Sequence, residues 1–410
     1  MNFKRSKALA AVVLAGTFVA LAIPSVSSAS GTVSATTFNA NYTTMADLTS
    51  ITAAGTGGVG VILPDEVSSN RYVDFDAPNL STALSAAGLT ATDLNVQNAL
   101  GVDANEISIA QGDIAAGDKV LIMDPLDATT GITIEQDASK AGVSVVDYDR
   151  LTVGGSAQYY VSFNNQAVGT LIGQGELACI KAEKIKKPLV YVMNGDTLTD
   201  NNAVLFAKGY DAVLNAAGYK AAVGGTGNAK TINETGSGTW TPATALTDFQ
   251  GAYTKNHKIN AVVTPNDENA GPIISYLQGK GLKPNTIPFT GQDATLTGFQ
   301  NIISGYQCGT VYKPVWQEAQ AAAALAIYLR AGKTPPAALV NGSTVDPSTK
   351  RAVPSVLLKA TWDTATKIQS TVIANGVINA VSLCTNARPK VAGDSKIPTY
   401  KADCKKFKIS

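Results

Sequence analysis

KVLIMDPLDATTGITIEQDASKAGVSVVDYDR, residues 119–150, decides the fold of this chain. It opens on a short apolar run, KVLIMD, that stops at Asp124. It closes on another, VSVVDYD, that stops at Asp149. Residues 132–141 between them have helical spacing. Two short strands joined through a helix run parallel, because a connection that long crosses over the sheet instead of turning back. The same alternation continues upstream. GVGVILPD, residues 58–65, is a strand, and 74–88 is a helix with Leu80, Leu84 and Ala87 on one face. Residues 94–98 are a strand and 107–117 a helix. Downstream, strands are expected at 188–195, 259–267, 287–293 and 308–313, and helices at 167–180, 202–217, 246–257, 270–280, 296–304 and 316–331. That is more than one open sheet holds comfortably. The pattern predicts an α/β protein of two similar doubly wound parallel-sheet lobes with a cleft between them.

The N-terminal residues have a different character. Lys4, Arg5 and Lys7 precede an apolar stretch, 8–23, that Pro24 breaks, and Ser27-Ser28-Ala29 offers small residues for cleavage. This order predicts an export signal over 1–29, shorter in its apolar part than the roughly 20 residues of a membrane helix. Residues 30–57, rich in Ser, Thr, Ala and Gly, are expected to be a leader of low order. The product is expected outside the cytoplasm, in a periplasm or at the cell surface. Basic and acidic side chains number 32 and 31, which argues against a nucleic-acid binder. Export permits disulfides. The four cysteines allow three pairings, and Cys384–Cys404 with Cys179–Cys308 is the expected one. With one His and no CxxC, neither a catalytic thiol nor a Cys/His zinc site is expected.

Open α/β sheets bind ligands beyond the carboxyl ends of their strands. Those ends carry Asp65-Glu66, Asp124, Asp149-Arg150, Asp196, Asn266-Asp267, Gln292-Asp293 and Lys313. Helix capping accounts for some Asp and Asn at such places. It accounts poorly for an Arg beside an Asp or a Lys closing VYK. Carboxylates, amides and fixed cations together suit a neutral polyol, and Tyr72 and Trp240 could cover a sugar ring face. No phosphate-cradling glycine loop follows the first strand, and GxSxG is absent. No cofactor or metal is expected, and no enzyme activity.

Several stretches also resemble a known family. These are DYDR (147–150), QYYVSFNNQAVG (158–169), GDTLTDNNAVLF (195–206), GTWTPATA (238–245), INAVVTPNDENAG (259–271), GQDATLTG (291–298), TVYKP (310–314) and VPSVLL (353–358). In this order they resemble the D-xylose-binding proteins among the type I periplasmic sugar-binding proteins of ABC importers. The similarity runs from about 58 to 373. It implies a two-lobed type I periplasmic binding protein fold with a hinge. Lobe one would be 58–162 and 315–335, lobe two 163–314 and 350–375, with 376–410 a C-terminal extension. The resemblance implies ligand contacts at Arg71 and Tyr72, where the family more often has Trp at the second position. It also implies Asp149, Arg150, Asp200, Asn202, Trp240, Asn266 with Asp267 beside it, Asp293 and Lys313. The implied partners are a monosaccharide, D-xylose first, and the permease of an ABC importer, with the receptor a monomer. A sugar sensor for a membrane receptor, or an exported glycan-acting enzyme, is the alternative.

Overall fold

The structure, a computed structural model, describes residues 33–221, 227–233, 238–386 and 399–410. The expected signal segment, 1–29, lies outside them. Twelve strands are described. They are β1 (Val59–Leu63), β2 (Leu94–Asn98), β3 (Val120–Met123), β4 (Ser144–Tyr148), β5 (Tyr159–Phe163), β6 (Val190–Val192), β7 (Thr231–Asn233), β8 (Ala261–Val263), β9 (Thr310–Tyr312), β10 (Gly342–Val345), β11 (Ala352–Leu358) and β12 (Thr361–Asp363).

Seven of them form one sheet in the order β10-β11-β5-β4-β3-β1-β2, parallel except for the edge strand β10. A second sheet begins β7-β6-β8, all parallel. Single parallel bridges, Val262 with Phe289 and Gln292 with Val311, carry it on to β9, which pairs antiparallel with β12. The strand expected over 287–293 is therefore present only as these bridges. β1, β3 and β6 are buried throughout, as parallel strands covered on both faces must be. In each sheet the first strand lies between the second and third, so the strand order reverses beside β1 and beside β6. Open sheets hold ligands at such reversal points.

Helix ends follow the sequence closely. Asp127, Asn164, Asp200, Asn266 and Thr295 each cap a helix by accepting a backbone N–H of its first turn. Helix Asn165–Ala182 packs on helix Asn201–Ala216 closely enough that a Cβ on Gly169 would lie 2.0 Å from the Phe206 carbonyl oxygen. Only glycine admits that approach. The Ala-rich helix Val315–Arg330 is buried along most of its length against β3, β4, β5 and helix Ala77–Ala86. Both expected disulfides are present, Cys179–Cys308 and Cys384–Cys404.

Three expectations need correction. The leader is not of low order from residue 33 on. It forms short helical turns, Thr43–Leu48 and Thr49–Ala54, and buries Met45 and Leu48 completely in the core beside Leu80 and Leu84. Two apolar residues three apart on one helical turn outweigh the polar composition around them. The segment 350–375 does not belong wholly with the second sheet. β11 pairs with β5 in the large sheet, Val356 opposite Val161 and Leu358 opposite Phe163, and only β12 joins the small one. The C-terminal segment is packed too. Leu383, Tyr400 and Cys404 are buried against Phe299, Ile302 and Ile303. The chain passes between the sheets after β5, after β9 and between β11 and β12.

Candidate functional site

The carboxyl ends of the two sheets face a common cavity. The segment after β1 supplies Ser68, Ser69, Arg71 and Tyr72, and the end of β4 supplies Asp149 and Arg150. From the other side come Asp200, Asn202 and Phe206 beyond β6, Trp240, Asn266 beyond β8, Gln292 and Asp293, and Lys313 beyond β9. Of the eleven residues expected at the site, only Asp267 does not line this cavity.

Arg71 is 1% exposed and held by three carboxylates. Its Nε donates to Asp76 at 2.9 Å, Nη2 to Asp76 and Glu318 at 2.7 Å each, and Nη1 to Asp149 at 3.1 Å. Four of the guanidinium's five N–H groups are thereby used. The second hydrogen on Nη1 is left for the cavity. Tyr148 braces the arrangement by donating to Asp76 at 2.5 Å. Glu318 projects from the first turn of the Ala-rich helix. Burial pushes its carboxyl up to about 8 against the opposing pull of Arg71.

Asp149 has the left-handed φ of 55°, uncommon outside glycine. Its carbonyl accepts from Tyr160 Oη and from Asn202 Nδ2, both at 2.8 Å, so the backbone there is tied to both sides of the cavity. Burial disfavours its charge, but Arg71, Lys313 and Arg150 outweigh burial and hold the carboxyl below the usual range. Arg150 Nε lies 3.6 Å from Asp200 and 3.8 Å from the buried Asp124. Asp200 caps its helix through the Asn202 N–H and accepts from Trp240 Nε1 at 3.2 Å. Burial raises it to about 6, with Arg150 opposing. The Trp240 ring meets Phe206 edge-on and lies against Gly195, where a Cβ would come within 2.3 Å of it.

Lys313 Nζ stands 2.9 Å from Asp293 Oδ1 and 4.0 Å from Asp149. The first contact is close as an ion pair, although its angle falls short of a hydrogen bond. Asp293 also has a left-handed φ, 86°, and accepts from Ser69 Oγ at 3.2 Å. Asn266 Nδ2 donates to the Ser68 carbonyl at 3.1 Å, and the Asn70 N–H to Glu268 at 3.0 Å. These bonds join residues following β1 to the strand exits of the second sheet. Gln292 Oε1 is buried in the cavity wall with no hydrogen-bond partner.

Asp267 is a correction. Its carboxylate accepts from Thr295 N at 3.0 Å and Gln307 Nε2 at 2.7 Å, behind the cavity. Asn266 caps the helix and Asp267 is its first residue, and successive helical side chains diverge by about 100°. Ser68, Ser69, Phe206 and the supporting carboxylates Asp76 and Glu318 were not expected, while Asp124, named among the strand ends, supports Arg150 from behind. For Glu318 a signal existed, a single acid beside the Ala-rich run AQAAAALA.

A family model described as the periplasmic binding protein domain matches residues 59–334. This chain belongs to that family. Among characterised members, the multiple sugar-binding periplasmic receptor ChvE of Rhizobium radiobacter is 31% identical over 340 residues, 81% of this chain and 93% of its own. The D-xylose-binding periplasmic protein of Escherichia coli K12 is 33% identical over 284 residues, 68% of this chain and 80% of its own. Among solved structures, an ABC transporter solute-binding protein of Clostridium phytofermentans with bound β-D-glucose aligns with a TM-score of 0.68 at 25% identity. It covers 79% of this chain and 99% of that one. The fold is the two-lobed type I periplasmic binding protein fold, α/β with parallel sheets. Among the described residues, no helix is long and apolar enough to cross a membrane.

Proposed function

We propose that this chain is an extracytoplasmic receptor that binds one neutral monosaccharide, D-xylose first, and delivers it to the permease of an ABC importer. The observation that carries this is the cavity wall. Three cations and three carboxylates, Arg71, Arg150 and Lys313 with Asp149, Asp200 and Asp293, are held by one another and line one small space. Fixed, mutually balanced donors and acceptors suit hydroxyl groups, which offer both and carry no charge. Arg71, Arg150 and Lys313 donate to sugar oxygens, while Asp149, Asp200 and Asp293 accept from sugar hydroxyls. Asn202 and Asn266 do either, and Trp240 and Tyr72 cover the ring's C–H faces.

The mechanism follows from where the residues originate. Arg71, Tyr72, Asp149 and Arg150 move with the large-sheet lobe, and the others with the small-sheet lobe, about a hinge where the chain passes between the sheets. A sugar touching both sets favours the closed arrangement only through contacts unavailable in the open one. Closure excludes water, and each charge-assisted hydrogen bond then contributes about 1.5–3 kcal/mol. The permease reads the closed shape of a monomeric receptor. The relatives' names support a sugar as cargo, and similarity to both multiple-sugar and D-xylose receptors makes the choice of sugar an experimental question. A calorimetric screen of free pentoses and hexoses tests it. Saturable binding of unmodified D-xylose is expected, and failure to bind any free sugar would overturn the proposal.

A further inference from the structure

The Asp293–Lys313 pair has two sides. One faces the cavity above, and the other faces a second cavity of about 270 Å3. Apart from that pair, its walls come from residues that the first cavity does not use. Tyr42 belongs to the leader, Phe75 and Asn79 to the segment beyond Arg71, Trp316 to the start of the Ala-rich helix, and Asn375 to the approach to the C-terminal segment.

The rings are fixed by bonds of their own. Trp316 Nε1 donates to Tyr312 Oη at 3.2 Å, and Tyr42 Oη donates to Oδ1 of the Asn79 side chain. Tyr312, at the wall of the same cavity, is pushed up to about 12 by burial, so it stays a neutral phenol. The polar rim is made of the Asn79 and Asn375 amides and the exposed carboxylate of Asp74. Among the described residues, the only cation in the wall, Lys313, is already matched by Asp293. Preset aromatic rings, a rim of amides and no unmatched cation disfavour an anion and suit an uncharged polyol, which has apolar C–H faces and hydroxyl edges.

We propose that this second cavity binds a second neutral sugar-like polyol. The occupant is a separate molecule, because the Asp293–Lys313 ion pair stands between the two spaces and lines both. The proposal rests on the reading of the first cavity only in its choice of probes.

The test is equilibrium dialysis of the full chain with labelled D-xylose, D-glucose and glycerol up to millimolar concentration. Two equivalents of at least one probe are expected, one tight and one weak. Trp316→Leu and Asn79→Ala should each raise the dissociation constant of the weak equivalent by about ten-fold or more and leave the tight one unchanged. Trp240→Ala should do the reverse. If Trp316→Leu does not melt cooperatively, Asn79→Ala carries the comparison. A single Trp240-dependent equivalent for all three probes overturns the second site alone. So does a second equivalent that neither Trp316→Leu nor Asn79→Ala disturbs. No binding of any probe overturns both this inference and the reading of the first cavity.

Discussion

Asp293→Ala removes a carboxylate that lies 2.9 Å from the Lys313 ammonium and also accepts from Ser69 at 3.2 Å. At an effective dielectric constant of about 20, an ion pair at 2.9 Å carries a gross attraction of about 6 kcal/mol and one at 4.0 Å about 4 kcal/mol. Lys313 therefore keeps a substantial partner in Asp149, and the substitution leaves it poorly paired rather than alone. Truncating one member of a buried charge pair in an interface costs about 2–5 kcal/mol, much of it from the group left behind. The remaining Asp149 contact puts this case at the lower end. A loss of about 2 kcal/mol is a roughly 30-fold rise in the dissociation constant. The assay is calorimetric titration of D-xylose into parent and variant, with thermal unfolding alongside. Position 293 has a left-handed φ that alanine tolerates less well than asparagine, so Asp293→Asn is measured in parallel. If both variants weaken binding, the lost charge is responsible. If only the alanine variant does, backbone strain is. If both bind within about two-fold of the parent, the ion pair does not serve the ligand and the reasoning fails.

Trp240→Ala should weaken D-xylose binding by about 1 kcal/mol or more, roughly five-fold, by removing an aromatic surface and the donor to Asp200; unchanged affinity would place the sugar elsewhere. Asp200 gives a pH signature. Because burial raises it from 3.8 to about 6, its contribution to stability is full below pH 3.8 and is lost as pH rises through 6. Binding that uses the ionised carboxylate runs the other way. Affinity should hold above pH 6 and fall below it by up to about ten-fold per pH unit, and Asp200→Asn should flatten the profile measured by titration at several pH values. Removing the Cys384–Cys404 disulfide by double substitution to serine frees a loop spanning 20 residues, so unfolding should become easier by about 3 kcal/mol with sugar affinity unchanged; chemical denaturation measures it.

The strand exits were legible because each parallel strand is an apolar run that ends on a polar residue, and Asp149, Arg150, Asn266, Asp293 and Lys313 could be placed by that rule alone, whereas Arg71 came only from the family resemblance. What could not be read is what each side chain turns toward. Asn266 and Asp267 are adjacent and chemically alike, yet one lines the cavity and the other supports Thr295 and Gln307 behind it. The partner of β11 was equally hidden. VPSVLL has strand character whichever sheet receives it, and its pairing with β5 joins residues almost two hundred positions apart, beyond local pattern. The leader misled through composition, since Met45 and Leu48 anchor a segment that is otherwise polar and small. Glu318 lies outside the strand-end rule because it reaches Arg71 from a helix.

The two left-handed aspartates, Asp149 and Asp293, restrict how this site can change by mutation. Glycine would relax the backbone at either position but delete the carboxylate. Glutamate would keep the charge, but it gives up the short side chain that tolerates this conformation and sets the carboxylate farther from the main chain. Asparagine fits the backbone but removes one of the carboxylates matched to Lys313 or Arg71. Each single step away from aspartate therefore loses either geometry or charge. Altered sugar preference should evolve first at unstrained neighbours such as Tyr72, Gln292 or Phe206, with the aspartate pair inherited as a fixed frame.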